Sequence, residues 1–174
     1  MSQDILLLTA LVAVILMGSA MCSGIEAALL AVNPLRVHEL ARRKPKVLGA
    51  IRLEKLRHRI GRTLTVVTIA NNSFNIFGSL MVGSYATYIF QDRIGNVKPI
   101  FFVGLTILVL LLGEIVPKAL GTRLALQISL TSAPVLDFLS IVMRPLLIVL
   151  ERLLPIITAK SELTTDEEEI RQMA

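Results

Sequence analysis

Two stretches of the chain, residues 5–25 and 63–91, contain no charged side chain. Each reaches or exceeds the roughly 20 residues a helix needs to cross a hydrocarbon core, and a helix satisfies its own backbone there. A third apolar run begins at Pro99, stays uncharged to Gly113, and continues through Glu114 to Val116 before Pro117 and Lys118. It spans only with Glu114 inside the membrane. Composition agrees, because 54% of the 174 residues are hydrophobic and 18% charged, against roughly half and a quarter in soluble domains. The expected fold class is an all-α integral membrane protein, with three transmembrane helices at about 5–32, 63–91 and 99–122.

The charge is concentrated in one place. Residues 34–62 carry ten Lys and Arg against Glu39 and Glu54, a local balance of +8 in a chain whose net charge is +5. The stretch lacks the aromatic residues that stack on nucleic-acid bases, so no nucleic-acid partner is expected. The positive-inside rule places it in the cytoplasm. The amino terminus and the link at 92–98 then lie outside, and Lys118 and Arg123 inside. Nothing basic precedes the first run and no cleavage site follows it, so it reads as a retained helix rather than a signal peptide.

Residues 128–154 are apolar but carry Asp137, Arg144 and Glu151 at intervals of seven, on one helical face, and are interrupted by Pro134 and Pro145. An Arg near the centre of a span costs about 2.5 to 3.5 kcal/mol. The expectation is a bent pair of amphipathic juxtamembrane helices, about 124–155, lying at the cytoplasmic interface. A fourth span is the alternative. Residues 1–160 then form the membrane domain and 161–174 open a cytosolic region, where Thr165 and Glu168 have the capping-box spacing of a new helix.

Cys22 is alone, and His38 and His58 stand singly in the basic stretch, so neither a disulfide framework nor a zinc-type cluster is expected. The spans hold no His-Glu-x-x-His string and no Ser-His-Asp set, so no enzyme activity and no catalytic residue are expected. Metal chemistry must use oxygen.

Polar groups inside a membrane are costly and are functional candidates by default. They fall in three places, one per span: Ser23, Gly24 and Glu26; Asn71, Asn72 and Asn75; Gly113 and Glu114 ahead of Pro117 and Lys118. Asn71 and Asn75 are four residues apart and share a helical face. Pro117 has no N–H, which deprives the Gly113 carbonyl of its helical donor. Gly24 would permit a local unwinding near Ser23. At 1.5 Å per residue, Ser23 lies roughly 27 Å and Glu114 roughly 21 Å from the outer starts of their helices, with Asn71 and Asn75 roughly 10 to 16 Å from an inner start. All can meet in the inner half of the membrane. They offer hard oxygen ligands suited to magnesium, calcium, manganese or sodium. Interhelical hydrogen bonding explains the asparagines equally well, and close packing is the commoner reason for small residues such as Gly18, Ser19, Cys22 and Ser23. Glu114 needs a charge partner, and no Lys or Arg lies in either other span.

The strings Ser23-Gly24-Ile25-Glu26-Ala27-Ala28-Leu29, Asn33-Pro34-Leu35-Arg36, Asn71-Asn72-x-x-Asn75 and Gly113-Glu114-Ile115-Val116-Pro117-Lys118 resemble the transmembrane domain of the CorC and cyclin M (CNNM) magnesium transporters. The resemblance implies three spans with a juxtamembrane belt, a homodimer in the cell (plasma) membrane, and downstream nucleotide-binding CBS domains that this chain lacks and through which alone ATP would act. It also implies a magnesium site made by Ser23, Asn71, Asn75, Glu114 and the backbone near Gly113, with sodium as the coupling ion. Glu26 matches a family acid. Ala20, Met21 and Cys22 depart from the family pattern, where aromatic residues are common. The expected function is magnesium transport, as efflux; the alternative is a membrane-anchored divalent-cation sensor that signals to cytosolic domains without transport.

Overall fold

In the computed structural model, which describes residues 2–43, 47, 49–89 and 97–153, every regular element among the described residues is helical. Residues 92–96 of the link between the second and third apolar runs, Lys44 and Lys46, and the polar tail in which a capping box is expected at Thr165 lie outside the described residues. The chain is an all-α membrane protein. Three stretches are long and apolar enough to cross a membrane by length and composition: Gln3–Ala31, Pro99–Arg123 and Ala125–Val142.

These differ from the expected three in one respect. Helix α4 (Ile60–Ile89) has 30 residues, about 45 Å of helix, but Asn71, Asn72 and Asn75 make it less apolar than the others. Helix α7 (Ala125–Val142), by contrast, is not the amphipathic element the sequence suggested, since its polar residues are scattered around its circumference. The spacing of Asp137, Arg144 and Glu151 treats the segment as one helix, whereas the helix breaks at Met143, before Pro145. Of the three charges α7 keeps only Asp137; Arg144 opens α8 (Arg144–Leu153), which has the strong amphipathic pattern expected of both.

The chain divides into two compact units. The first comprises Met1–Asn33 and Val67–Leu130. Its backbone is α1 (Ser2–Ala31), the greater part of α4, α5 (Val97–Leu108), a π-helical turn over Val109–Ile115 and α6 (Val116–Arg123). Helix α1 packs chiefly on α6 and the π turn. The close crossing of α1 and α6 is built on glycines: a Cβ at Gly121 would overlap the Gly24 carbonyl oxygen, and one at Gly24 would lie 3.4 Å from the Pro117 carbonyl. Against α4, the Phe74 ring lies over Gly18 and Ile15 lies over Gly78, each helix receiving the other's bulk on a bare backbone. Leu8, Ile15, Val82 and Ala86 are buried beyond that, with Phe101 and Leu105 packed against them. Large apolar side chains such as Leu6, Met17, Phe77 and Leu110 remain exposed, which water would penalise and a lipid surround does not.

The second unit comprises Pro34–Val66 and Thr131–Ala174. The basic stretch forms α2 (Pro34–Arg43) and α3 (Ala50–Arg57), which pack on each other and bury Val37, Ala41, Leu53 and Leu56. Gly49 precedes α3 with φ 83°, a left-handed conformation that favours glycine. His38 Nδ1 and Glu54 Oε1 lie 2.6 Å apart, tying α2 to α3.

Candidate functional site

Pro117 shapes the third apolar helix as its chemistry requires. It cannot donate to the Gly113 carbonyl four residues before it, and the chain widens there into the π turn, in which the Val116 N–H donates to the Leu111 carbonyl. The Gly113 carbonyl is thereby available to a side chain. The Ser19 hydroxyl reaches it at 3.3 Å, and reaches Asn71 Oδ1 at 3.2 Å. One hydroxyl proton serves one of these acceptors at a time. Ser23, one turn further along α1, directs its hydroxyl to the same Asn71 Oδ1 at 3.4 Å.

Three elements of the first unit thus bring their oxygens together. Ser19 and Ser23 are fully buried and Asn71 is 6% exposed. One turn on along α4, Asn75 Oδ1 is shielded from solvent with no hydrogen-bond partner among the described residues. A buried polar atom left unmade in this way is costly, and a water or cation would satisfy it. Asn72 is exposed, as its position about 100° around the helix from Asn71 requires.

The carboxylates stand differently. Glu114, adjacent to Gly113, pairs with Lys118 Nζ at 2.8 Å on the next helical turn. The charge partner that the sequence reading sought on another span is supplied by the same helix. Glu26 accepts a hydrogen bond from Thr68 Oγ1 at 2.8 Å. No hydrogen bond joins either acid to the serine–asparagine cluster among the described residues. Helix α1 runs unbroken through Gly24, so the expected unwinding at that glycine does not occur; Gly24 serves the approach of α6 instead. No cluster of three His, Cys, Asp or Glu exists among the described residues, which leaves neutral oxygens and one or two carboxylates as the donor set. That set fits a hard cation.

Ser19 was placed by sequence among the packing residues. Its signal was available, because Ser19 and Ser23 are four residues apart and must share a face of α1; what lay opposite that face was not.

The whole of this arrangement falls within a known family. The family model of the cyclin M transmembrane N-terminal domain matches residues 10–174. The chain belongs to that family. It is similar to the UPF0053 protein sll1254 of Synechocystis, with 37% identity over 169 residues, 96% of this chain and 47% of the relative. It is also similar to the UPF0053 inner membrane protein YfjD of Escherichia coli, with 28% identity over 149 residues, 85% of this chain and 33% of that protein. The chain therefore spans about half or less of the curated relatives it matches.

Within this cyclin M domain the two asparagines give a direct test of the face that carries the oxygens. In titrations of magnesium into the purified protein, Asn75→Leu is expected to weaken binding by about tenfold or more, and Asn72→Leu to leave it within about threefold. Greater sensitivity at Asn72 would place the binding face elsewhere.

Proposed function

We propose that this chain is the membrane part of a magnesium transporter, in which Ser23, Asn71, Asn75, the Gly113 carbonyl and Glu114 receive the ion. The observation that carries the reading is the buried Asn75 Oδ1, which has no hydrogen-bond partner among the described residues and sits one turn along α4 from the asparagine whose oxygen accepts from Ser19 and Ser23. Neutral oxygens orient the ion, and the carboxylate supplies the charge that a divalent ion needs. Magnesium dehydrates reluctantly and keeps several waters, so a site with one carboxylate gives modest affinity, suited to release as well as capture. Sodium competes for the same oxygens and supplies a route to exchange, with magnesium leaving the cell. In this proposal the +8 segment faces the cytoplasm, α4 crosses the membrane with α1 and the α5–α6 stretch, the amphipathic α8 lies at the inner interface, and two copies form the working unit in the plasma membrane.

The test is flux through proteoliposomes loaded with a magnesium-sensitive dye. An inward magnesium gradient is expected to raise the dye signal above that of protein-free vesicles, and an opposing sodium gradient to change the rate. A protein that binds magnesium in calorimetry yet passes none would be a sensor.

A further inference from the structure

The helices of the basic stretch carry a cationic surface that their own acids do not neutralise. Both acids of that stretch are engaged elsewhere: Glu39 pairs with Arg43 at 3.1 Å, and Glu54 lies 2.6 Å from the His38 ring. Arg42 on α2, Arg52 and Lys55 on α3, and Arg59 between α3 and α4 are exposed. None of these four has an ion-pair partner among the described residues. Like charges gathered in this way repel one another, and an external anion relieves the repulsion.

What stands beside the cations identifies that anion. Helix α2 turns Val37 and Ala41 inward, and α3 turns Leu53 and Leu56 inward. At 100° per residue, Leu35 and Arg42 share the opposite face of α2, seven residues apart, and Ile51 and Lys55 share the opposite face of α3, four apart. The two aliphatic side chains are bare, Leu35 at 78% exposure and Ile51 at 58%. A small soluble anion gives such residues nothing to bury against. The headgroup layer of a membrane offers phosphates to the cations and an acyl boundary to the leucine and isoleucine, with the Lys and Arg stems lying along apolar surface while their heads reach the phosphates. Chain connectivity holds the helices at that depth. The first apolar stretch long enough to cross a membrane ends at Ala31, and only Val32 and Asn33 separate it from α2. Likewise only His58 and Arg59 separate α3 from α4, the second span of the proposed arrangement. Two linking residues reach about 10 Å at most, so α2 begins and α3 ends among the headgroups.

We infer that α2 and α3 form a docking surface for anionic phospholipids, with Arg42, Arg52, Lys55 and Arg59 contacting headgroup phosphates and Leu35 and Ile51 seated at the acyl boundary. Each cation held close to an anionic membrane surface contributes about fivefold to the attraction. The surface therefore gathers anionic lipid around this end of the domain. Cations that served only to orient the chain during insertion, and afterwards stood in water beyond the screening length of about 8 Å at physiological salt, would not sort one lipid from another.

Lipid quenching in reconstituted vesicles tests this. The full chain, with Cys22→Ser and a bimane label on His58→Cys, is placed in vesicles of phosphatidylcholine with a minor fraction of phosphatidylglycerol. Bromine is carried on the acyl chains of the phosphatidylglycerol in one preparation and on an equal amount of the phosphatidylcholine in the other. Bromine on phosphatidylglycerol is expected to quench as though that lipid were enriched about fivefold or more around the label. The ratio should fall towards one when Arg42, Arg52, Lys55 and Arg59 are all replaced by Gln. It should fall also for the unmodified surface at high salt, where the screening length shrinks from about 10 Å at 0.1 M to about 3 Å at 1 M, a test that needs no variant to fold. Equal quenching by the two lipids at low salt would overturn the docking surface and leave the cations to an acidic protein or to water. A preference that survives the four substitutions would place the lipid contacts elsewhere on the chain. Loss of the preference on adding inorganic phosphate at constant ionic strength would make a free anion, not a lipid, the occupant.

Discussion

Glu114→Gln is expected to abolish magnesium binding, a loss of at least about a hundredfold that takes the heat of titration below detection. Affinity at an oxygen site depends on how many ligand charges it contains, and Glu114 contributes the one carboxylate among the proposed ligands; the serines, asparagines and the Gly113 carbonyl are neutral. Glutamine keeps the shape and removes the charge, so the variant separates electrostatics from packing. Its helix content by circular dichroism should match that of the unmodified protein, because glutamine fills the same space and leaves the backbone hydrogen bonds of the helix intact. Retained affinity in this variant would sink the site.

Gly121→Ala is expected to cause the largest loss of stability of any single methyl addition in the first unit. The added Cβ would overlap the Gly24 carbonyl oxygen and lie 3.1 Å from the Ala27 Cβ. Backbone cannot rotate out of the way as a side-chain tip can, so α1 and α6 must move apart. Overpacking of this kind costs about 1 to 3 kcal/mol, or a fall of roughly 2 to 12 °C in the unfolding temperature of a chain this size. The separation also displaces Ser19 and Ser23 from Asn71 and the Gly113 carbonyl, so magnesium affinity should fall alongside stability. Gly104→Ala is the control. A Cβ there meets nothing within 4 Å, and exchanging a helical glycine for alanine gains roughly 0.5 to 1 kcal/mol. Thermal melts followed by circular dichroism in one detergent compare the two, and equal melting temperatures would mean that the glycine crossing does not hold these helices.

Hydrophobic run length and charge placement were enough to establish an all-helical membrane protein, because the cost of an unsatisfied backbone in lipid leaves few other folds. The sequence also singled out the oxygen-bearing residues, since helical periodicity puts Asn71 and Asn75 on one face and a missing N–H at Pro117 frees a carbonyl regardless of what surrounds it. Periodicity describes one helix at a time. It assigned Asp137 and Arg144 to a common stripe, and the break at Met143 put them on different helices. Glycines show that a close approach is permitted without showing by what: Gly24 read as a place to unwind, and it is where the Gly121 backbone is received. Which oxygens meet, that Ser19 bridges α4 and the π turn, and that Glu114 finds Lys118 on its own helix were decided only when the three helices packed. Hydrogen bonds and ion pairs act over about 3 Å, and the distances between residues as far apart in the chain as Ser19 and Gly113 are set by packing rather than by any local preference.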